Sequence, residues 1–192
     1  SSSRIFVSSG AVPLLFFDEN RLFVGTENAL YLSSTGNAAQ QIFSFSKTGI
    51  ELEQPETEDV DENSVSYSFK IHDLLAVKGA APKLFLATQS GVFQSPDHGY
   101  HWEPLPTSGF QSTAVLQLAY SEKGDRLYAA TSRGIYAYDP RSRRWVGLFE
   151  GLARNRTQSI AVLNEEKLLA ITGEGFVQYP LEPFTPEASP AL

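Results

Sequence analysis

An all-β chain built from four similar units is what this sequence predicts, and three observations carry the prediction. A basic-led apolar hexamer recurs four times, as RLFVGT at 21–26, KLFLAT at 83–88, RLYAAT at 126–131 and KLLAIT at 167–172. Each copy ends in Thr and is followed, after two or three residues, by a second short run: ALYLSS at 29–34, GVFQS at 91–95, GIYAYD at 134–139 and GFVQY at 175–179. The runs are rich in Val, Ile, Leu, Phe and Tyr and are separated by Gly, Asp, Asn, Ser and Pro, which is the signal of strands and turns rather than of helices.

Taken in order, each unit gains two more strands. A first strand precedes every hexamer, at Val12–Phe17, Ile71–Val77, Ala114–Tyr120 and Ser159–Leu163. A fourth follows three of the four pairs, at Gln41–Phe45, His101–Leu105 and Arg144–Phe149. Units of roughly 40–45 residues with four strands point to a β-propeller, in which each four-stranded antiparallel sheet is a blade packed on its neighbours. The fourth unit lacks a last strand, because Pro180, Pro183, Pro186 and Pro190 interrupt everything after Tyr179. Arg4–Ser8 is an unassigned strand at the other end of the chain, and pairing it there would close a four-bladed ring. An open fragment of a larger ring and two chains pairing into eight blades fit the same arithmetic. The expected layout is a propeller over 1–180, an acidic insertion at about 46–66 and a Pro-rich tail at 181–192.

Length allows a sizeable core in one domain: the chain has 192 residues. No apolar run approaches the roughly 20 residues of a transmembrane helix. The net charge of −7 is unevenly placed, since seven of the 22 acidic residues lie between Glu51 and Glu62. Six of the 15 basic residues, Arg133, Arg141, Arg143, Arg144, Arg154 and Arg156, form a later window. The acidic balance weighs against nucleic acid as a partner. Cysteine is absent, so there is no disulfide frame and no thiolate metal site. Methionine is absent too, and a chain beginning Ser1-Ser2-Ser3 without it has the pattern of a processed or trimmed product. A removed export signal would explain that, as would deliberate trimming, and the expectation is an extracytoplasmic protein.

Ser95-Pro96-Asp97-His98-Gly99-Tyr100-His101-Trp102 reads S-x-D-x-G-x-x-W. Asp97 can accept hydrogen bonds from its own turn, Gly99 can supply a positive φ, and Trp102 can bury against a neighbouring sheet. This motif resembles the Asp-box, or bacterial neuraminidase repeat, of sialidases, xyloglucanases, sortilin-type receptors and the photosystem II assembly factor of the lumenal propeller type. Tyr138 to Trp145 is a degenerate copy that keeps Asp139 and Trp145 without a glycine between them, and Ser33-Ser34-Thr35-Gly36 keeps only the turn. The resemblance implies a turn between third and fourth strands, on the face opposite the one that binds ligands. It places Ser95, Asp97, Gly99, Trp102, Asp139 and Trp145 in structural roles, and Asp97, His98 and His101 are read as parts of a turn rather than as metal ligands. His72, beside Asp73, is read as a satisfied polar residue. No metal and no cofactor are expected.

The opposite face collects the loops between second and third strands: Glu27 and Asn28, Gln89 and Ser90, Ser132 and Arg133, Gly173 and Glu174. Four equivalent positions with four different chemistries suit a recognition surface better than a symmetric ion site. Arg154 and Arg156, in a between-blade loop, are expected on that face beside Arg133, where they could receive a carboxylate, a phosphate or an acidic partner. The expected role is therefore a non-catalytic scaffold for a protein partner, as the resemblance to assembly factors and sortilin-type receptors implies. Glu27 and Glu174 are the pair that a glycoside hydrolase reading would need, and glycan binding is the other alternative.

Overall fold

The computed structural model describes residues 14–18, 21–26, 29–34, 40–44, 70–78, 83–148, 156–173 and 175–181. These residues form four antiparallel sheets and no helix. In the first sheet, β1 (Leu14–Asp18), β2 (Arg21–Gly25), β3 (Ala29–Ser34) and β4 (Gln40–Ser44) pair in chain order. The second repeats this with β5 (Ile71–Val77), β6 (Lys83–Thr88), β7 (Gly91–Ser95) and β8 (Glu103–Pro104). The third holds β9 (Val115–Ser121), β10 (Arg126–Thr131), β11 (Gly134–Asp139) and β12 (Arg144–Gly147). The last has β13 (Thr157–Leu163), β14 (Lys167–Thr172) and β15 (Gly175–Pro180).

The four meanders are the expected blades, and three of the four hexamers are β-strands to the residue, the first ending one short at Gly25. The expected closing strand at Arg4–Ser8, the acidic insertion and the tail beyond Leu181 lie outside the described residues. The chain divides into two compact units, Ser1–Leu105 with Thr113–Val115, and Pro106–Ser112 with Leu116–Leu192.

In the first unit Phe23, Leu30 and Phe43 from the first sheet form one core with Ile71, Leu74, Leu86 and Phe93 from the second. Phe43 meets Phe93 edge to face at 5.1 Å between ring centroids, a favoured aromatic geometry. In the second unit Tyr128, Ala130, Ile135 and Ala137 pack with Ile160, Leu168 and Ala170. β6 and β10 are buried along their length after the leading basic residue, whereas β13 turns Ile160 inward and leaves Ala161 exposed.

The threonine that ends every hexamer closes the hairpin that follows it. Thr88 Oγ1 donates to the Gly91 carbonyl at 2.9 Å and accepts the Ser90 N–H at 3.1 Å. Thr131 does the same with the Gly134 carbonyl at 2.9 Å and the Arg133 N–H at 3.0 Å. Thr172 donates to the Gly175 carbonyl at 3.2 Å, and Thr26 to that of Ala29, also at 3.2 Å. All four side chains are buried.

Last strands are held differently in the two units. β8, Glu103–Pro104, is shorter than the expected His101–Leu105: the His101 N–H is taken by Asp97 and the Trp102 indole by Gly99 in the preceding turn, while the Leu105 N–H still reaches the Val92 carbonyl at 2.8 Å. β12 carries Trp145, which is 1% exposed and clamped by the segment before β9. Its indole Nε1 donates to the Pro106 carbonyl at 2.9 Å, its backbone N–H to the Ser108 carbonyl at 2.8 Å, and Phe110 stacks on its ring at 4.5 Å. Gly109 passes so close, at φ +94°, that a Cβ there would sit 1.9 Å from the Trp145 carbonyl oxygen.

Two stability outcomes follow from these contacts. Thr131→Val keeps shape but leaves the Arg133 N–H and the Gly134 carbonyl without their partner, so urea unfolding should show a loss of about 1–3 kcal/mol. Ser132→Ala in the same turn should change stability by less than about 0.5 kcal/mol. Gly109→Ala should cost more than about 2 kcal/mol in the same measurement, since both the space and the left-handed backbone are denied to alanine.

Candidate functional site

Three places could carry function: the tips of the threonine turns, the turn from Ser95 to Trp102 and the clefts between neighbouring turns. The tips stand as the sequence predicts. Gln89, Ser132 and Arg133 are exposed and Ser90 is half-buried, each in a two-residue turn between the second and third strands of its sheet. Gln89 is anchored twice, by His72 Nε2 against its Oε1 at 3.2 Å and by Thr113 Oγ1, which donates to its carbonyl at 3.3 Å. His72 is thus a satisfied polar residue, as expected.

In the second unit the two sheets present corresponding ends together. Ser121 Oγ donates to Glu165 Oε2 at 2.6 Å and the Lys123 N–H to the same oxygen at 3.2 Å, which ties the β9–β10 turn to the β13–β14 turn. Mid-strand, the Ile160 N–H donates to Gln117 Oε1 at 2.8 Å. The other end therefore holds the β10–β11 turn with Arg133 and the start of β13 with Arg156, both exposed. Ser112 and Ser132 share a hydrogen bond at 2.9 Å there. Glu27, Asn28, Arg154 and Glu174 lie outside the described residues.

The turn from Ser95 to Trp102 folds on its own hydrogen bonds. Ser95 Oγ donates to Asp97 Oδ1 at 2.9 Å and accepts the Gly99 N–H at 2.8 Å. The His101 N–H donates to Asp97 Oδ1 at 2.8 Å, and the His101 ring Nδ1 meets the other carboxylate oxygen. His98 and Gly99 take φ of 62° and 97°. The positive φ is what calls for Gly99, while a Cβ there would lie 2.9 Å from Ile42 Cδ1, the movable end of that side chain. Trp102 Nε1 returns to the Gly99 carbonyl at 2.9 Å, while its ring packs edge to face on Phe43 of the first sheet at 5.7 Å. Partial desolvation raises the Asp97 pKa, but the hydrogen bonds from His101 and Ser95 and the charge of the imidazole outweigh it and bring it to about 2.

The degenerate copy solves the same problem with different atoms. Asp139 accepts the Arg141 N–H at 3.0 Å and the Ser142 hydroxyl at 2.6 Å, and the Ser142 bond leads the causes that lower its pKa. Arg143, at φ 52°, takes a left-handed conformation without glycine. Trp145 sits one position further from its aspartate than Trp102 does, and it bonds to Pro106 and Ser108 rather than to its own turn.

Sequence reasoning missed a cleft of about 510 Å³ at the end of the second unit that holds Asp139 and Glu165. Lys123, Asp125, Arg126, Tyr128, Arg141 and Glu165 are among its lining residues. The Ser121 hydroxyl, foremost, holds the Glu165 carboxyl below its usual range. Burial pushes the Tyr128 hydroxyl up, with Arg126 acting against it. Burial, then the bond to Asp125, raises Tyr120 likewise. No group of three His, Cys, Asp or Glu among the described residues is placed to hold a metal ion. Among the described residues no helix is long and apolar enough to cross a membrane.

No family model matches the chain. No curated protein matches it either. Solved structures do. The extracellular domain of a one component system from B. thetaiotaomicron aligns with a TM-score of 0.63 at 19% identity, over 92% of this chain and 21% of its own. The computationally designed Ika4 protein aligns with a TM-score of 0.61 at 10% identity, over 93% of this chain and 96% of its own. PorZ, a surface component of the type-IX secretion system of Porphyromonas gingivalis, gives 0.59 at 12% identity, over 91% of this chain and 21% of its own. The likeness is one of fold. The chain spans about a fifth of the length of the natural structures and nearly all of the designed one.

The Asp97 carboxyl gives a pH dependence with a definite sign. Its folded pKa of about 2 lies below the ordinary 3.8, so its contribution is complete above the ordinary value and is lost as pH falls from there to about 2. In Asp97→Asn the fall in unfolding midpoint over that interval should be shallower by up to about one proton's worth of slope. Urea titrations at a series of pH values would show it, and an unchanged slope would remove Asp97 from the acid sensitivity.

Proposed function

We propose that the chain is a non-catalytic β-propeller module of the Asp-box type that holds a protein partner outside the cytoplasm. The observation that carries this reading is the constancy of the threonine turn beside the variety of what it displays. The buried hydroxyl fixes the same backbone in each sheet, while the tip residues change from Gln89 and Ser90 to Ser132 and Arg133. Such an arrangement supplies rigid positions whose chemistry is free to vary, which lowers the ordering cost of recognition. In the second unit the tip end is basic through Arg133 and Arg156, and Arg154 belongs to the same sequence window. The partner surface is then acidic, and rim cations of this kind govern encounter more than residence.

Two further points support the reading. A glycosidase acid needs a carboxyl whose pKa is raised, whereas Asp139 and Glu165, in the described cleft, are both held down by hydrogen bonds. The extracellular domains and surface component among the similar folds favour an extracytoplasmic setting.

The test is capture by the immobilised chain from an extract of its source cells. Arg133→Glu with Arg156→Glu should abolish capture with thermal stability unchanged, and the wild-type interaction should weaken as salt rises. Undiminished capture by the double variant would move the partner away from this end. Turnover of aryl glycosides by the wild-type chain would overturn the non-catalytic reading itself.

A further inference from the structure

We propose that the cleft at the end of the second unit that holds Asp139 and Glu165 binds a small organic anion, a carboxylate or a phosphate ester carrying a short apolar body. The cleft is separate from the tips, since it lies at the other ends of β10 and β13. Its volume of about 510 Å³ is in the usual range for small-molecule sites.

The hydrogen-bond capacity of its walls selects the ligand. Each of its carboxylates already serves the protein. Glu165 Oε2 takes the Ser121 hydroxyl and the Lys123 N–H, Asp125 takes the Tyr120 hydroxyl, and Asp139 takes the Arg141 N–H and the Ser142 hydroxyl. The charge of Arg126 also faces Asp139. The donors are less committed. The Arg141 guanidinium has no hydrogen bond or ion pair among the described residues, and the Lys123 ammonium is exposed with only the nearby charge of Glu165. Unused donors at a cleft whose acceptors are occupied favour an acceptor-rich guest, and charge-assisted bonds to carboxylate or phosphate oxygens are the strongest they can make. The carboxylates do not gather into a metal site.

The remaining walls favour carbon. Tyr128, 5% exposed, lines the cleft together with Pro140 and Leu181. An inorganic anion would leave these surfaces unused. A guest with an anionic head and a ring or short chain would cover them.

Amide chemical shifts of the isotope-labelled chain, titrated at constant ionic strength and neutral pH, provide the test. Four probes separate the possibilities: phenyl phosphate, benzoate, inorganic phosphate and benzyl alcohol. Saturable shifts at Lys123, Gly124 and Arg141 with phenyl phosphate or benzoate are expected, and whichever is tighter tells whether the head group is a phosphate or a carboxylate. Benzyl alcohol should have no effect, and inorganic phosphate should bind more weakly than phenyl phosphate. Lys123→Ala with Arg141→Ala should weaken binding by about tenfold or more, with the melting temperature unchanged. Equal response to benzyl alcohol, equal affinity in the double variant, or no saturable shift with either anion would each overturn the proposal. None of these outcomes bears on partner capture by Arg133 and Arg156.

Discussion

A buried threonine hydroxyl at the end of each second strand is the constraint on which the sheets depend. Strand pairing has a period of two, so a slip of one residue would turn every core side chain to the wrong face. Thr88 and Thr131 prevent such a slip by fixing both ends of a two-residue turn, one bond to the carbonyl beyond it and one from the N–H within it. The register that follows pairs Leu86 with Phe93 and Ala130 with Ile135. These are core residues. The lock therefore selects the core as well as the turn, and it does so with an oxygen that burial makes expensive to leave unpaired.

The outer strands have no such lock and are anchored one by one. In the second sheet the indole of Trp102 bonds back to its own turn, which can tighten because Asp97 gathers the donors around it. In the third sheet the turn is one residue longer, and the indole of Trp145 is instead received by the chain entering that sheet. The longer turn frees Trp145 to sink further: it is 1% exposed, while Trp102 is only half-buried. The same pair of residue types thus yields a local anchor in one unit and a non-local clamp in the other. An aspartate and a tryptophan at nearly the right spacing do not specify which.

This difference marks what could be read from the sequence. The fifteen strands of the described residues were legible because alternation and turn residues are local, and the repeat multiplied each weak signal by four. The turn from Ser95 to Trp102 was legible for the same reason, down to the acceptor role of Asp97 and the positive φ of Gly99. The left-handed Arg143 carried no signal, since arginine does not favour that conformation on its own, whereas His98 has only the modest tendency of histidine towards it. The threonines were visible as a recurrence, but their purpose lies in a bond between backbone atoms that a sequence does not display. The cleft was hidden most fully. Its two turns meet through Ser121 and Glu165, separated by 44 residues, and Glu165 itself stands at a left-handed turn position with φ 57°. Nothing in the acidic or basic runs points to that pair, because the residues that build it are ordinary members of two unrelated turns.

The two ends of the second unit differ in how their polar groups are spent, and that difference follows from which strands each turn joins. Turns between second and third strands are closed by buried threonine, so the tip side chains of Ser132 and Arg133 are not needed to hold the backbone. Turns between first and second strands also draw on carboxylates: the buried Ser121 hydroxyl accepts the Gly124 N–H but donates in turn to Glu165 of the neighbouring sheet, and Asp125 is bound by Tyr120. At the threonine end, hydroxyls alone hold the turns and the tip side chains stand clear of that work. At the other end carboxylates share it, while Lys123 and Arg141 stay exposed. A surface whose backbone is already secured can change its tip residues without endangering the fold, whereas a surface built from committed carboxylates can change only at its remaining donors.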